Sequence, residues 1–336
     1  MPFSRPAAFS LALLLACSCS GGSGGKSDKT ASPTPSPVVT TSAAPSTDPL
    51  TGLTTIGTAP LVGVKVDNAG LARPYQTGLG RAALVYEELV EGGATRLLAV
   101  YESDVAGPGE VGPIRSFRES DVELVRQFGG MAIAFSGGNT GVKAIVARAA
   151  RHGYLVDGSY DKIPTAYRLG ARRKDARNFF TVPSTVARLK PGSVPRDIGL
   201  TFGPAGATGL PTTTAVSTYS PLTRVALAYD AAKGTWSVSQ NGTLMRGVAP
   251  ANVIIQRVQE KASGFVDVHG MRTPYTTTIG KGAATILRDG KRYVGTWDRH
   301  GYGATHFLDA TGKDIPLRAG RTWVLLLPTT GSVTFG

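Results

Sequence analysis

From about residue 60 onward the chain alternates short apolar runs with glycine-rich and charged punctuation. Residues 61–66 read as a buried strand that ends at Asp67-Asn68. Residues 84–91 and 94–101 read as two further strands joined by Gly92-Gly93, a pair suited to a two-residue turn that needs positive φ. With those glycines as the loop, Glu91 faces Ala94 and Leu89 faces Arg96. Period-two alternation then puts Glu87, Leu89 and Glu91 on one face with Arg96. Such a face is either the floor of an acid–base pocket or a solvated cross-strand ladder of charges. A short helical turn is expected over 77–83, after the Arg73-Pro74 bend. Ser116 and Glu119 have the spacing of a capping box, which predicts a helix over 117–128. Residues 131–136 form another apolar run, closed by Gly137-Gly138-Asn139. Val142, Ile145, Val146 and Ala149 then recur at helical spacing until Gly153.

The texture changes after about residue 215. Short β-prone runs at 225–229, 235–239, 243–246, 253–258, 284–288, 291–297, 321–327 and 332–335 are separated by turn signals, of which Asn241-Gly242 and Asp289-Gly290 are the strongest. The pattern predicts an α+β chain: a mixed α/β domain over 49–207 followed by a mostly antiparallel β domain over 215–336. Trp236, Trp297 and Trp323 are expected in the core or between the domains.

The N-terminus has a different character. Arg5 precedes an apolar run from Ala7 to Ala16, about ten residues and too short for a membrane-spanning helix of about twenty. Residues 1–16 therefore read as a signal peptide. The run ends Leu14-Leu15-Ala16-Cys17, similar to a bacterial lipobox, so Cys17 is the expected lipidation site and Cys19 the alternative. Residues 17–48 are Gly, Ser, Thr, Pro and Ala with few apolar side chains, a composition that gives a flexible tether. The expected address is extracytoplasmic, anchored to the cell membrane by lipid.

Both cysteines lie in the first twenty residues, which removes disulfides, thiolate metal sites and cysteine nucleophiles from everything that follows. The net charge of +13 favours anionic partners. Lys and Arg are spread along the chain, with a local cluster at Arg172-Arg173-Lys174. No nucleic-acid motif accompanies them, and the expected address also excludes that partner. Asp298, His300 and His306 are the one set that resembles metal ligands, without a helical His-Glu-x-x-His motif; neither metal nor cofactor is expected.

The candidate chemistry lies between Asp67 and Asp121. Arg73, Arg96, Arg115 and Arg118 can hold an anion. Arg115 and Arg118 bracket the expected helix start, where free amides also converge. The alternative is that these arginines pair with Glu110, Asp121 or the hairpin carboxylates. Glu87 and Glu91, two apart on a strand, lie roughly 6–7 Å apart and are the candidates for general acid or base. An adjacent Arg96 keeps carboxylates ionised, which disfavours a general acid.

The order of motifs resembles the YerB-like family of bacterial lipoproteins. The matching residues are Val66-Asp67-Asn68, Arg73-Pro74 with Gln76, Val85-Tyr86-Glu87, Glu91-Gly92-Gly93 with Thr95-Arg96, and Gly112-Pro113-Ile114-Arg115-Ser116 with Arg118. Further along, Asp289-Gly290-Lys291, Gly295-Thr296-Trp297 and Gly320-Arg321-Thr322-Trp323 also fit. Tyr75, inserted between Pro74 and Gln76, and Glu88, where a small residue is expected, depart from the pattern. The resemblance implies a two-domain surface lipoprotein and no particular activity. It implies that Glu87, Glu91, Arg96, Arg115 and Arg118 form one site; Asp67, Asn68, Arg73, Gln76 and Ser116 are the further candidate ligand-binding residues. The expected function is a cell-envelope accessory or binding protein for an anionic cell-wall component or small molecule. The alternatives are a hydrolase or transferase acting through Glu87 or Glu91, or a protein–protein adaptor.

Overall fold

The Leu61–Asp67 strand is buried along its whole length because it has neighbours on both edges and layers on both faces. It pairs antiparallel with Thr95–Glu102 on one edge. On the other it meets Val111–Ile114 antiparallel and Ala132–Ala134 parallel. The computed structural model describes residues 46–55, 59–102, 109–170, 178–267 and 270–336. The signal peptide, Cys17, Cys19, nearly all of the tether, Arg172-Arg173-Lys174 and His269 lie outside the described residues.

The sheet continues through both halves of the chain. Leu84–Leu89 pairs antiparallel with Thr95–Glu102 and, on its far edge, parallel with Thr322–Pro328, with Trp323 opposite Val85 and Leu325 opposite Glu87. Thr322–Pro328 then pairs parallel with Asn252–Val266, which leads into the Gly280–Arg288 and Lys291–Arg299 hairpin. Alternate residues feed separate cores. Val62, Val64 and Leu325 point to one side, with Val225 and Trp236 of a smaller antiparallel sheet. Leu61, Leu98 and Val324 point to the other, with Leu124 of helix α1 (Glu119–Val125) and Val142 and Val146 of helix α2 (Thr140–Arg151). Burial on both faces is why these strands read as continuous apolar runs.

The fold is β-dominated, so the helical share expected of the first half is too large. The expected helix over 117–128 contracts to the seven residues of α1 and a 3-10 turn, Arg126–Phe128. Its start moves because the cap is a different pair. The Arg118 amide donates to Asp121 Oδ2 at 2.6 Å, whereas Phe117, fully buried against Phe135, stays in the approach to the helix. The long helix fares better: α2 begins after Asn139, whose Oδ1 accepts the amides of Gly141 (2.7 Å) and Val142 (3.3 Å). Asn139→Ala is expected to cost about 1 kcal/mol, measured as a shifted urea midpoint at unchanged slope.

The turn at Gly92-Gly93 forms as expected, with φ of 68° and 72° and Ala94 N–H donating to the Glu91 carbonyl. The register beyond it does not. Val90 N–H also donates to the Ala94 carbonyl, so two residues oppose one, and Glu88 rather than Leu89 faces Arg96. This one-residue bulge moves Glu87 to the opposite face from Arg96. The Asn241-Gly242 and Asp289-Gly290 turns also form at positive φ, and no bulge follows the latter: Arg288 faces Lys291. All three tryptophans are buried.

One long arm positions the site. Asn252–Val266 and Arg272–Thr277 form a hairpin that reaches over α1. Glu123 of α1 accepts the Tyr275 hydroxyl at 2.7 Å and the Thr278 amide at 2.7 Å, while Glu119 accepts the Ser263 hydroxyl at 2.6 Å. These bonds fix Phe265 and Thr273 beside the residues read from the first half.

Candidate functional site

A cavity of about 420 Å³ lies where the bulged hairpin, the extended segment before α1, the start of α2 and the late arm meet. Arg96, Arg115, Arg118 and Glu91 line it, with Gly137-Gly138 from the loop before α2 and Phe265 from the arm. The segment carrying Arg115 is held as strand on both sides: its amide donates to the Lys65 carbonyl at 2.9 Å and its carbonyl accepts the Ser136 amide at 3.1 Å.

The three guanidinium groups are unequally compensated. Arg118 Nη2 donates to Glu91 at 2.6 Å. Arg115 Nε lies 3.2 Å from Asp67 but is not aligned for a hydrogen bond. Arg96 forms no ion pair with a described carboxylate; its Nη1 donates to the Ser116 carbonyl at 3.1 Å. The Nε–H groups of all three are buried without an acceptor. Burial, and then repulsion from Arg118, pushes Arg96 down to about 10, so it stays charged at neutral pH. For Glu91 burial acts upward, but the Arg118 charge and the bonds from Arg118 and Thr273 (2.6 Å) outweigh it and hold the carboxyl below its ordinary value. The cavity thus presents three guanidinium groups and the ionised Glu91 carboxylate, with Asp267 also on its wall.

The structure divides the expected site. Glu91, Arg96, Arg115, Ser116 and Arg118 line this cavity, and Asp67 adjoins it through Arg115. Arg73 and Gln76 line a different one. Glu87 and Asn68 line neither. Glu87 is fully buried and accepts from Thr95 and Gln240 at 2.8 Å, Trp323 at 3.2 Å and Asn68 at 3.3 Å. Burial raises its carboxyl above the ordinary value against these bonds. Asp298 contacts His300 at 3.2 Å and lies opposite His306 across the ladder, but His306 bonds Asp314 at 3.1 Å, and among the described residues no three such side chains come together as a metal set.

Two domain models of one family match the chain: the N-terminal domain of DUF3048, a protein family of unknown function, over residues 50–193, and its C-terminal domain over 215–324. The chain belongs to the DUF3048 family. YerB of Bacillus subtilis (strain 168), a candidate lipoprotein by name, is 27% identical over 309 residues, which span 83% of this chain and 86% of that one. The crystal structure of YerB superposes with a TM-score of 0.69 at 24% identity, covering 85% of this chain and 98% of the other, and so shares the fold. The family resemblance carried by the motifs is therefore correct.

In this DUF3048 chain the sequence reading passed over a second set of charges. Lys65 Nζ contacts both Glu88 and Asp121, the latter at 2.6 Å, and all three are buried. Burial first, then the Asp121 charge, pushes Glu88 up to about 8, with Lys65 acting against them. The signal was present: Lys65 is a lone cation in an apolar strand, and Glu88 follows Glu87 in another, which places an acid on each face of a strand with no solvated side. Thr273 and Phe265 left no such signal, because they reach the cavity only through the arm.

Proposed function

We propose that this protein is a membrane-anchored, extracytoplasmic binding protein of the cell envelope, lipidated at Cys17, whose arginine-lined cavity holds the anionic group of a small ligand. Residues 1–16 serve as signal peptide and 17–48 as tether to a body read as two domains, 49–207 and 215–336. The observation that carries the ligand is the set of three guanidinium groups around one cavity, of which Arg96 and Arg118 hold buried Nε–H groups without an acceptor and Arg115 meets Asp67 at 3.2 Å out of line for a hydrogen bond. A buried donor without a partner is costly, and a phosphate or carboxylate satisfies several at once through charge-assisted bonds. The amide-rich loop before α2 adds to this, and the rings of Tyr160 and Phe179, 4.5 Å apart at the cavity wall, suit a ligand with a ring. The reading as a hydrolase or transferase has less support. Glu91 is ionised and paired, Glu87 is out of reach of the cavity, and neither is poised as a general acid.

The test is calorimetric titration of the full chain, in neutral detergent, with glucosamine 6-phosphate and inorganic phosphate. Arg115→Ala is expected to weaken binding by about ten- to a hundredfold, the loss of one charge-assisted contact. Unchanged affinity in that variant, or no heat with any phosphate in the parent, would count against the site.

A further inference from the structure

A second cavity, of about 780 Å³, lies where segment 70–81 meets turn 243–248 of the small sheet. Contact between these segments builds its wall: a Cβ on Gly80 would come within 1.9 Å of the Gly247 carbonyl, so only glycine allows the approach. Four guanidinium groups line it, from Arg73, Arg81, Arg246 and Arg321, and no Asp or Glu does. Among the described residues, none of the four forms an ion pair with a carboxylate.

Their hydrogen bonds go to backbone instead. Arg73 Nε donates to the Asn68 carbonyl at 3.3 Å and Arg81 Nη2 to the Glu110 carbonyl at 3.1 Å, while Arg81 Nε is buried without an acceptor. Among the described residues no carboxylate lines the cavity, and the buried Glu87 acts on Arg73 from outside it. Between them the cavity offers the apolar side chains of Leu79, Met245 and Val248.

We propose that this cavity is a second binding site, separate from the first, for an oligomeric anion: a short chain carrying phosphate or carboxylate groups at intervals along an uncharged backbone. Charge comes from three separated segments of the sequence, which suits a ligand whose negative groups are spaced rather than a single compact ion. The apolar patches meet the backbone between those groups, and the size is that of a site for a whole small molecule. A guanidinium fork matches phosphate and carboxylate alike, so the two chemistries share one recognition mode. This site does not depend on the reading of the first cavity.

The test is titration of the full chain, in neutral detergent, with tripolyphosphate, with trigalacturonate and with inorganic phosphate as the singly anchored control. At least one oligomer is expected to bind more tightly than inorganic phosphate, with the two arms deciding between phosphate and carboxylate. Arg246→Glu and Arg321→Glu change exposed side chains and keep the fold; each is expected to weaken the oligomer about tenfold or more. Arg115→Ala is expected to leave it unchanged. In the Arg115→Ala chain, where the first cavity is weakened, oligomers that bind no better than inorganic phosphate would overturn the site, as would charge reversals without effect. An equal loss in Arg115→Ala would move the oligomer to the first cavity and overturn it as well.

Discussion

Lys65→Met is expected to destabilise the protein by about 3–5 kcal/mol, the cost of breaking a buried ion pair by removing one partner. Methionine fills the space but leaves Glu88 and Asp121 facing each other without a cation in a site closed to water. The damage extends to α1, because Asp121 also holds the Arg118 amide at the start of that helix. Glu88 keeps its proton at neutral pH, so adding Asp121→Asn to Lys65→Met should recover part of the loss by removing the acid left without its cation, while the Asn oxygen can still accept the Arg118 amide. Urea unfolding reads all three proteins, and a Lys65→Met midpoint within error of the parent would refute the account.

The same cluster sets a pH dependence. Glu88 titrates at about 8 in the folded chain against an ordinary 4.5, so the native protein keeps a proton that the unfolded chain releases. Stability from this group is full below about 4.5 and is lost as pH rises through about 8. Glu88→Gln should flatten that decline.

Glu87→Ala is expected to cost about 3 kcal/mol or more. It strips the acceptor from Thr95, Gln240, Trp323 and Asn68 together, and each buried donor left unmet costs about 1–3 kcal/mol. Gln240 comes from the small sheet and Trp323 from the strand that joins the two halves, so this carboxyl ties three parts of the chain together. Glu87→Gln should cost less than Ala but not zero, since its NH2 replaces an oxygen that now accepts, and Thr95 or Gln240 must turn an oxygen toward it. Neither change touches the first cavity, so phosphate binding should survive in the Gln variant. Equal stability for parent, Gln and Ala would show that the network carries no weight.

Much of the fold was legible along the chain because its signals are local. Asn139 caps α2 from the loop that precedes it, and the Asp289-Gly290 and Asn241-Gly242 turns specify their own φ values. The Gly92-Gly93 turn was legible in the same way. The bulge beside it was not, because it depends on what Val90 and Glu91 pack and pair against: Val90 is buried and Glu91 reaches Arg118 and Thr273. That one residue decided which acid shares a face with Arg96, and with it the difference between a paired-carboxylate floor and a guanidinium-lined cavity. The capping box failed for a similar reason: Ser116 and Glu119 have the spacing, but burial of Phe117 hands the cap to Asp121.

By itself, the sequence determined the family, the β-rich second half and the long helix. Each of these rests on composition, period or neighbours within a few residues. Only the tertiary structure decided that the ten expected site residues fall into two cavities and a buried knot, and that Thr273, Phe265, Arg246 and Arg321 join them. Those partners arrive from more than a hundred residues away, across strand pairings and one long arm. A local pattern carries no information about which distant charge will meet it, or whether water will be there when it does.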